Sequence, residues 1–148
     1  MKNPLLSSFE TPFQAAPFSK ISSEHFLPAL TENIKDALIE IDKITNQSSI
    51  ATFENTLEAM ENCSDLLERN STLLFNLNSA ETSDELQAVT QDASQLLTEF
   101  QNDIRLNKAL FNRIKYIVEN EDRQKLNTEQ LTLLEKEYKG FVRNGALL

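Results

Sequence analysis

One histidine, one cysteine and an abundance of carboxylates are the residues of this chain that could do chemistry, so the first question is what their spacing permits. His25 stands alone. A catalytic zinc takes three protein ligands held on a rigid frame, commonly histidines with a carboxylate. A single histidine cannot supply a two-histidine helical motif. Its position in Ser22-Ser23-Glu24-His25-Phe26 reads as a capping or partly buried residue at a helix start. Cys63 has no histidine near it in sequence and reads as a small apolar residue inside a helix. Glu54, Glu58 and Glu61 recur at helical spacing, which most simply makes a solvated face. No phosphate-binding glycine loop, no Gly-x-Ser-x-Gly elbow and no Asp-x-Asp-x-Asp calcium loop occurs. These residues assign no catalytic, cofactor-binding or metal position.

The elements that would position any site are helical. The chain has 148 residues, 40% hydrophobic and 25% charged, with only 2 glycines and 4 prolines. That length suits one domain able to bury roughly 68–70% of its unfolded surface. Few breakers among many Leu, Glu, Lys and Ala residues point to an all-α fold of about five antiparallel helices.

Residues 1–22 hold three prolines, Pro4, Pro12 and Pro17, with Leu5, Phe9, Phe13 and Phe18 as candidate anchors. This reads as an extended arm over a helical body spanning 23–148. The first helix carries Leu30, Ile34, Ala37, Leu38, Ile41 and Ile44 at steps of three and four, with Pro28 tolerable only near its first turn. The second opens at Thr52 and bears two stripes, Phe53-Leu57-Met60-Ser64-Leu67-Leu74 and Leu66-Leu73-Leu77, as expected of a helix with neighbours on two sides. Thr82-Ser83-Asp84-Glu85 reads as a capping box for the third, with Glu85 reaching back to Thr82. The fourth follows Leu106-Asn107 and carries Leu110, Phe111, Ile114, Ile117 and Val118. The fifth starts at Thr128. Gly140 inside it costs about 1 kcal/mol relative to alanine, and Gly145 suits a left-handed closing cap.

Charge and cysteine usage exclude several classes. A net charge of −9 repels phosphate backbones and argues against nucleic acid. No apolar run reaches the roughly 18 residues of a membrane span, and the start, Met1-Lys2-Asn3-Pro4-Leu5-Leu6, lacks the apolar centre of a signal peptide. A single cysteine fits a reducing compartment. The expectation is a cytoplasmic protein.

Four stretches carry a resemblance. They are Ile21-Ser22-Ser23-Glu24-His25-Phe26-Leu27-Pro28-Ala29-Leu30, Thr52-Phe53-Glu54-Asn55-Thr56-Leu57-Glu58-Ala59-Met60-Glu61, Asn78-Ser79-Ala80-Glu81-Thr82-Ser83-Asp84-Glu85-Leu86, and the closing Phe141-Val142-Arg143-Asn144-Gly145-Ala146-Leu147-Leu148. In this order they resemble the N-terminal helical region of the thimet-oligopeptidase family of zinc metallopeptidases, which includes oligopeptidase A and the peptidyl-dipeptidases. The resemblance looks closest to the peptidyl-dipeptidase branch and covers essentially the whole chain. It implies a catalytic domain beyond this region, where a His-Glu-x-x-His helix and a downstream glutamate hold one zinc. It also implies that the helical part forms one wall of a channel for short peptides. None of that motif lies here, so no catalytic residue carries over; Glu24-His25 lacks the second histidine. The ending is then expected to be a cut before further helices, with Leu147 and Leu148 as core residues of the missing part. On this reading the fragment holds no cofactor, its partners are the missing domain and the parent's oligopeptide substrates, and the surface exposes an apolar face of a few hundred Å². The alternative is a stand-alone acidic helical module that binds a partner helix.

Overall fold

Local sequence signals account for most of the helix boundaries in the computed structural model of the chain, which describes residues Asn3–Leu147. The fold is all-α, with no strand among the described residues. The principal helices are α1 (Phe26–Asn46), α2 (Ala59–Asn62), α3 (Asp65–Ala80), α4 (Asp84–Arg105), α5 (Lys108–Asn120) and α6 (Thr128–Arg143).

Pro28 sits at the third position of α1, where its missing N–H costs nothing. The expected second helix is divided. It opens as a π-helical segment, Phe53–Glu58, continues as α2, and breaks at Cys63-Ser64 before α3. Its start is as expected: the Thr52 hydroxyl accepts from the Asn55 N–H, and the Thr52 N–H donates to Asn55 Oδ1.

The cap of α4 is displaced by one residue from the expected box. Ser83, not Thr82, accepts from the Leu86 N–H. Residue N3 is then Leu86, which has no side-chain acceptor to return, and the Glu85 carboxylate is taken by the Ser23 hydroxyl at 2.6 Å. A second box, Asn127 with Gln130, opens α6, the two residues exchanging backbone-to-side-chain bonds. The end of α6 follows expectation. Gly145 has φ 87°, its N–H donates to the Val142 carbonyl, and the Ala146 N–H donates to the Phe141 carbonyl. These are the two bonds of a Schellman cap.

The chain divides into two compact units, Met1–Ala37 with Ser64–Thr98, and Leu38–Cys63 with Glu99–Leu148. In the first, Leu5, Phe26, Leu30, Leu67 and Leu74 are buried around two buried asparagines, Asn33 and Asn70. In the second, Ile41, Phe53, Leu57, Leu110, Ile114, Leu134 and Phe141 form the core. Phe111 stacks on both Tyr138 and Phe141, with ring centroids 5.8 and 5.9 Å apart.

The arm is a series of three-residue 3-10 turns, Pro4–Leu6, Pro12–Gln14 and Phe18–Lys20, joined by extended residues. Proline fixes φ for the first helical position of the first two. Leu5 is fully buried and Phe9 half-buried, whereas Phe13 and Phe18 stand in solvent. Leu147 is exposed, and Leu148 lies outside the described residues.

Candidate functional site

Each residue singled out for chemistry has a local structural use. His25 ends the turn Ser23–His25 that leads into α1. The Ser22 N–H donates to its Nδ1 at 3.0 Å, and its carbonyl accepts from the Asn3 amide. The ring is a helix cap. Cys63 sits half-buried at the break between α2 and α3, against the second unit's core, its thiol directed at the Met60 carbonyl. It is therefore not mid-helix, as its sequence suggested: the helix stops there. Glu54, Glu58 and Glu61 all lie on the exposed face. The structure does not bring these groups together, and no cluster of three His, Cys, Asp or Glu side chains suited to a metal exists among the described residues.

The most constructed polar sites use residues that sequence reasoning passed over. In the first unit, Arg69 and Asn70 on α3 grip the arm. Asn70 is fully buried, and its amide donates to the Leu5 carbonyl at 2.9 Å and to Asn33 Oδ1 at 2.8 Å. Arg69 donates to the carbonyls of Leu5 and Ser7 and to Asn70 Oδ1, with its guanidinium 4.0 Å from the centre of the Phe9 ring. Burial lowers its pKa from the ordinary arginine value. Its donors are divided between the arm's backbone carbonyls and Asn70 Oδ1, which makes it a clamp.

In the second unit, Arg105 Nη1 donates to Glu137 Oε2 at 2.7 Å, and Glu137 is buried. Arg113 on α5 reaches three acceptors, Thr56 Oγ1, Asn55 Oδ1 and the Ser49 carbonyl, at 2.8–3.1 Å. Desolvation lowers its pKa as well. The stretch from Arg105 to Lys115 therefore spends its two arginines inside the fold. The only cue to such roles in the sequence was the apolar setting of these arginines, which also fits a surface helix.

The second helix's first stripe is buried at Phe53, Leu57, Met60, Leu67 and Leu74. In its second stripe Leu66 is exposed, and Leu73 and Leu77 are half-buried. Apolar side chains also stand in solvent at Phe13, Phe18, Ile50, Leu106 and Leu147. No helix among the described residues is long and apolar enough to cross a membrane.

No protein-family model matches the chain. Curated relatives do. The chain is 36% identical to the dipeptidyl carboxypeptidase of Salmonella typhimurium over 146 residues, 99% of this chain and 22% of that protein. It is 34% identical to the dipeptidyl carboxypeptidase of Escherichia coli, again over 99% of this chain and 21% of the relative. Identity to Escherichia coli oligopeptidase A is 29%, over 98% of this chain and 21% of the relative. The homologues are thus peptidases, the same enzymes whose helical region the four sequence stretches resemble. This chain spans about a fifth of their length.

Proposed function

We propose that this chain is the N-terminal helical part of a zinc-dependent oligopeptidase that hydrolyses short peptides, and that it forms one wall of the substrate channel without contributing catalytic groups. The observation that carries the reading is the match over 98–99% of this chain to peptidases about five times longer. Higher identity to the dipeptidyl carboxypeptidases favours a parent that releases dipeptides.

The residues described here do not fit a catalytic zinc. They offer one imidazole, whose Nδ1 is already used by the Ser22 N–H, and no cluster of three metal-binding side chains. Under this proposal the metal belongs to the remainder of the parent. The role left to a helical wall is to limit access, admitting flexible peptides and excluding folded proteins. A cytoplasmic location is part of the same proposal; the lone thiol of Cys63 agrees with a reducing compartment.

The test begins with the native reading frame past codon 148. The expected frame continues to a His-Glu-x-x-His sequence, and the full-length protein hydrolyses short peptides, loses activity to a chelator and regains it with zinc. The 148-residue chain alone should hydrolyse nothing. A stop codon within a few residues of Leu148, or a full-length protein without metal-dependent peptidase activity, would overturn the proposal. The first result would turn attention to a stand-alone interaction module.

A further inference from the structure

The only Asn-Gly step in the sequence, Asn144-Gly145, falls on the closing cap of α6. Asparagine followed by glycine is the pair most prone to lose its side-chain amide, because no Cβ shields the next backbone nitrogen from the side-chain carbonyl. Asn144 is exposed, so water reaches it. Both groups that would react are nevertheless held. The Gly145 N–H donates to the Val142 carbonyl at 3.0 Å, and Asn144 Nδ2 donates to the Gly140 carbonyl at 2.8 Å. The side chain is thus drawn back toward the preceding turn, away from the nitrogen it would join. The backbone at Asn144 is near-helical, with φ −89° and ψ 14°, and the Ala146 N–H holds that shape by donating to the Phe141 carbonyl at 3.2 Å.

We propose that Asn144 is a site of spontaneous deamidation whose pace is set by opening of the α6 cap. When the cap opens, the Gly145 nitrogen gives up its proton to water and attacks Asn144 Cγ. A Cγ–N bond forms, the Cγ–Nδ2 bond breaks, and the side-chain amide leaves as ammonia, which closes a cyclic succinimide. Water then opens the ring at either carbonyl, so that residue 144 becomes aspartate or isoaspartate. Water is consumed, ammonia is released, and nothing is oxidised or reduced. Either product weakens the cap that restrained the reaction. Isoaspartate adds a methylene to the backbone, which moves the Gly145 and Ala146 N–H groups out of register with the Val142 and Phe141 carbonyls. Aspartate loses the donor to the Gly140 carbonyl and sets a negative charge at the C-terminal end of the helix, where the dipole disfavours it. The last turn of α6 therefore carries a one-way timer, in which an opening that leads to reaction also keeps the turn open. The reaction needs only these residues and water, and so stands apart from any peptidase activity.

The test uses the protein expressed from its native reading frame, aged at mildly alkaline pH beside a synthetic peptide of residues 139–148. Digestion and mass spectrometry count aspartate and isoaspartate at position 144, and hydrogen exchange with fragmentation reads the Gly145 N–H. Both isomers should accumulate in the folded protein, about tenfold or more slower than in the peptide. The slowing should be at least as large as that of Gly145 amide exchange, since both processes wait for the same N–H to leave the Val142 carbonyl. Ala146→Pro deletes the donor to the Phe141 carbonyl and should speed deamidation of the folded protein about fivefold or more, taken relative to a peptide with the same change. Deamidation at the peptide rate, slowing smaller than that of exchange, or an unchanged rate in Ala146→Pro would show that the cap does not set the pace. No product at 144 after about one hundred peptide half-lives would remove the site itself.

Discussion

Nη1 of Arg105 lies 2.8 Å from the point where a Cβ on Gly140 would stand. The guanidinium fills the space left by the missing side chain. There it pairs with Glu137 at 2.7 Å and lies 5.1 Å from the centre of the Phe141 ring. Gly140 is therefore the notch in α6 that lets a partly buried ion pair form.

That relationship reverses the usual expectation for glycine in a helix. Gly140→Ala in an unconstrained helix should gain about 1 kcal/mol. Here the added methyl must push Arg105 away from Glu137, and the expected net effect is a loss of about 1–2 kcal/mol. In an Arg105→Ala/Glu137→Gln background the same Gly140→Ala change should stabilise. Chemical denaturation of the four proteins reads both values. A stabilising Gly140→Ala in the native background would show that Arg105 is not held where it lies.

The Arg105–Glu137 pair itself should behave asymmetrically. The Glu137 side chain is only 7% exposed, so removing the arginine leaves a carboxylate with little water to replace it. Arg105→Met should cost about 3 kcal/mol, and Arg105→Met/Glu137→Leu should recover most of that loss. Equal destabilisation by the single and double variants, measured by urea unfolding, would contradict the burial argument.

The parts of the fold that obey periodicity were legible in the sequence, because burial and helical spacing point to the same residues. Leu110, Phe111, Ile114 and Ile117 on α5 are all buried, as their spacing required. Gly145 caps α6 because positive φ is cheap only for glycine. Gly140 was legible as a cost and not as a notch, since the residue it accommodates lies 35 positions away. The π-helical opening at Phe53–Glu58 and the break at Cys63-Ser64 were illegible for a related reason: Leu57, Met60 and Leu67 fit a regular helix equally well. The clamp by Arg69 and Asn70 carries no local pattern, because the arm carbonyls it holds, those of Leu5 and Ser7, lie more than 60 residues away. As for the candidate site, only the short list of chemistry-bearing residues could be read. Their uses as cap, helix-break thiol and solvated face depend on neighbours that sequence spacing does not reveal.

Asn70 should be the most sensitive polar position of the first unit. Asn70→Leu leaves Asn33 Oδ1 buried without its donor and strips one bond from the Leu5 carbonyl. The expected loss is about 2 kcal/mol. The arm should loosen with it. Chymotrypsin can reach Phe13 in both proteins, whereas cleavage after Phe9, held under Arg69, should rise about tenfold in the variant alone as the released arm becomes populated. Unchanged cleavage after Phe9 would mean that Arg69 alone fastens the arm.

Arg113 offers the corresponding test in the second unit, and it bears on why a π-helical turn persists there. Its three nitrogens diverge to Thr56 Oγ1, Asn55 Oδ1 and the Ser49 carbonyl, and Thr56 is fully buried. A planar fork serves three acceptors in fixed directions; a lysine ammonium on a flexible stem cannot. Arg113→Lys keeps the charge but should cost about 1–2 kcal/mol, because the Thr56 hydroxyl loses its donor. The loss should be local first. Amide exchange of residues 53–58 should quicken well before that of α5, since the wide turn depends on the guanidinium while α5 is held by its own buried face. Uniform quickening across both segments would instead mean that the turn and α5 open as one cooperative unit, and that Arg113 supports the core at large without specifically bracing the π-helical turn.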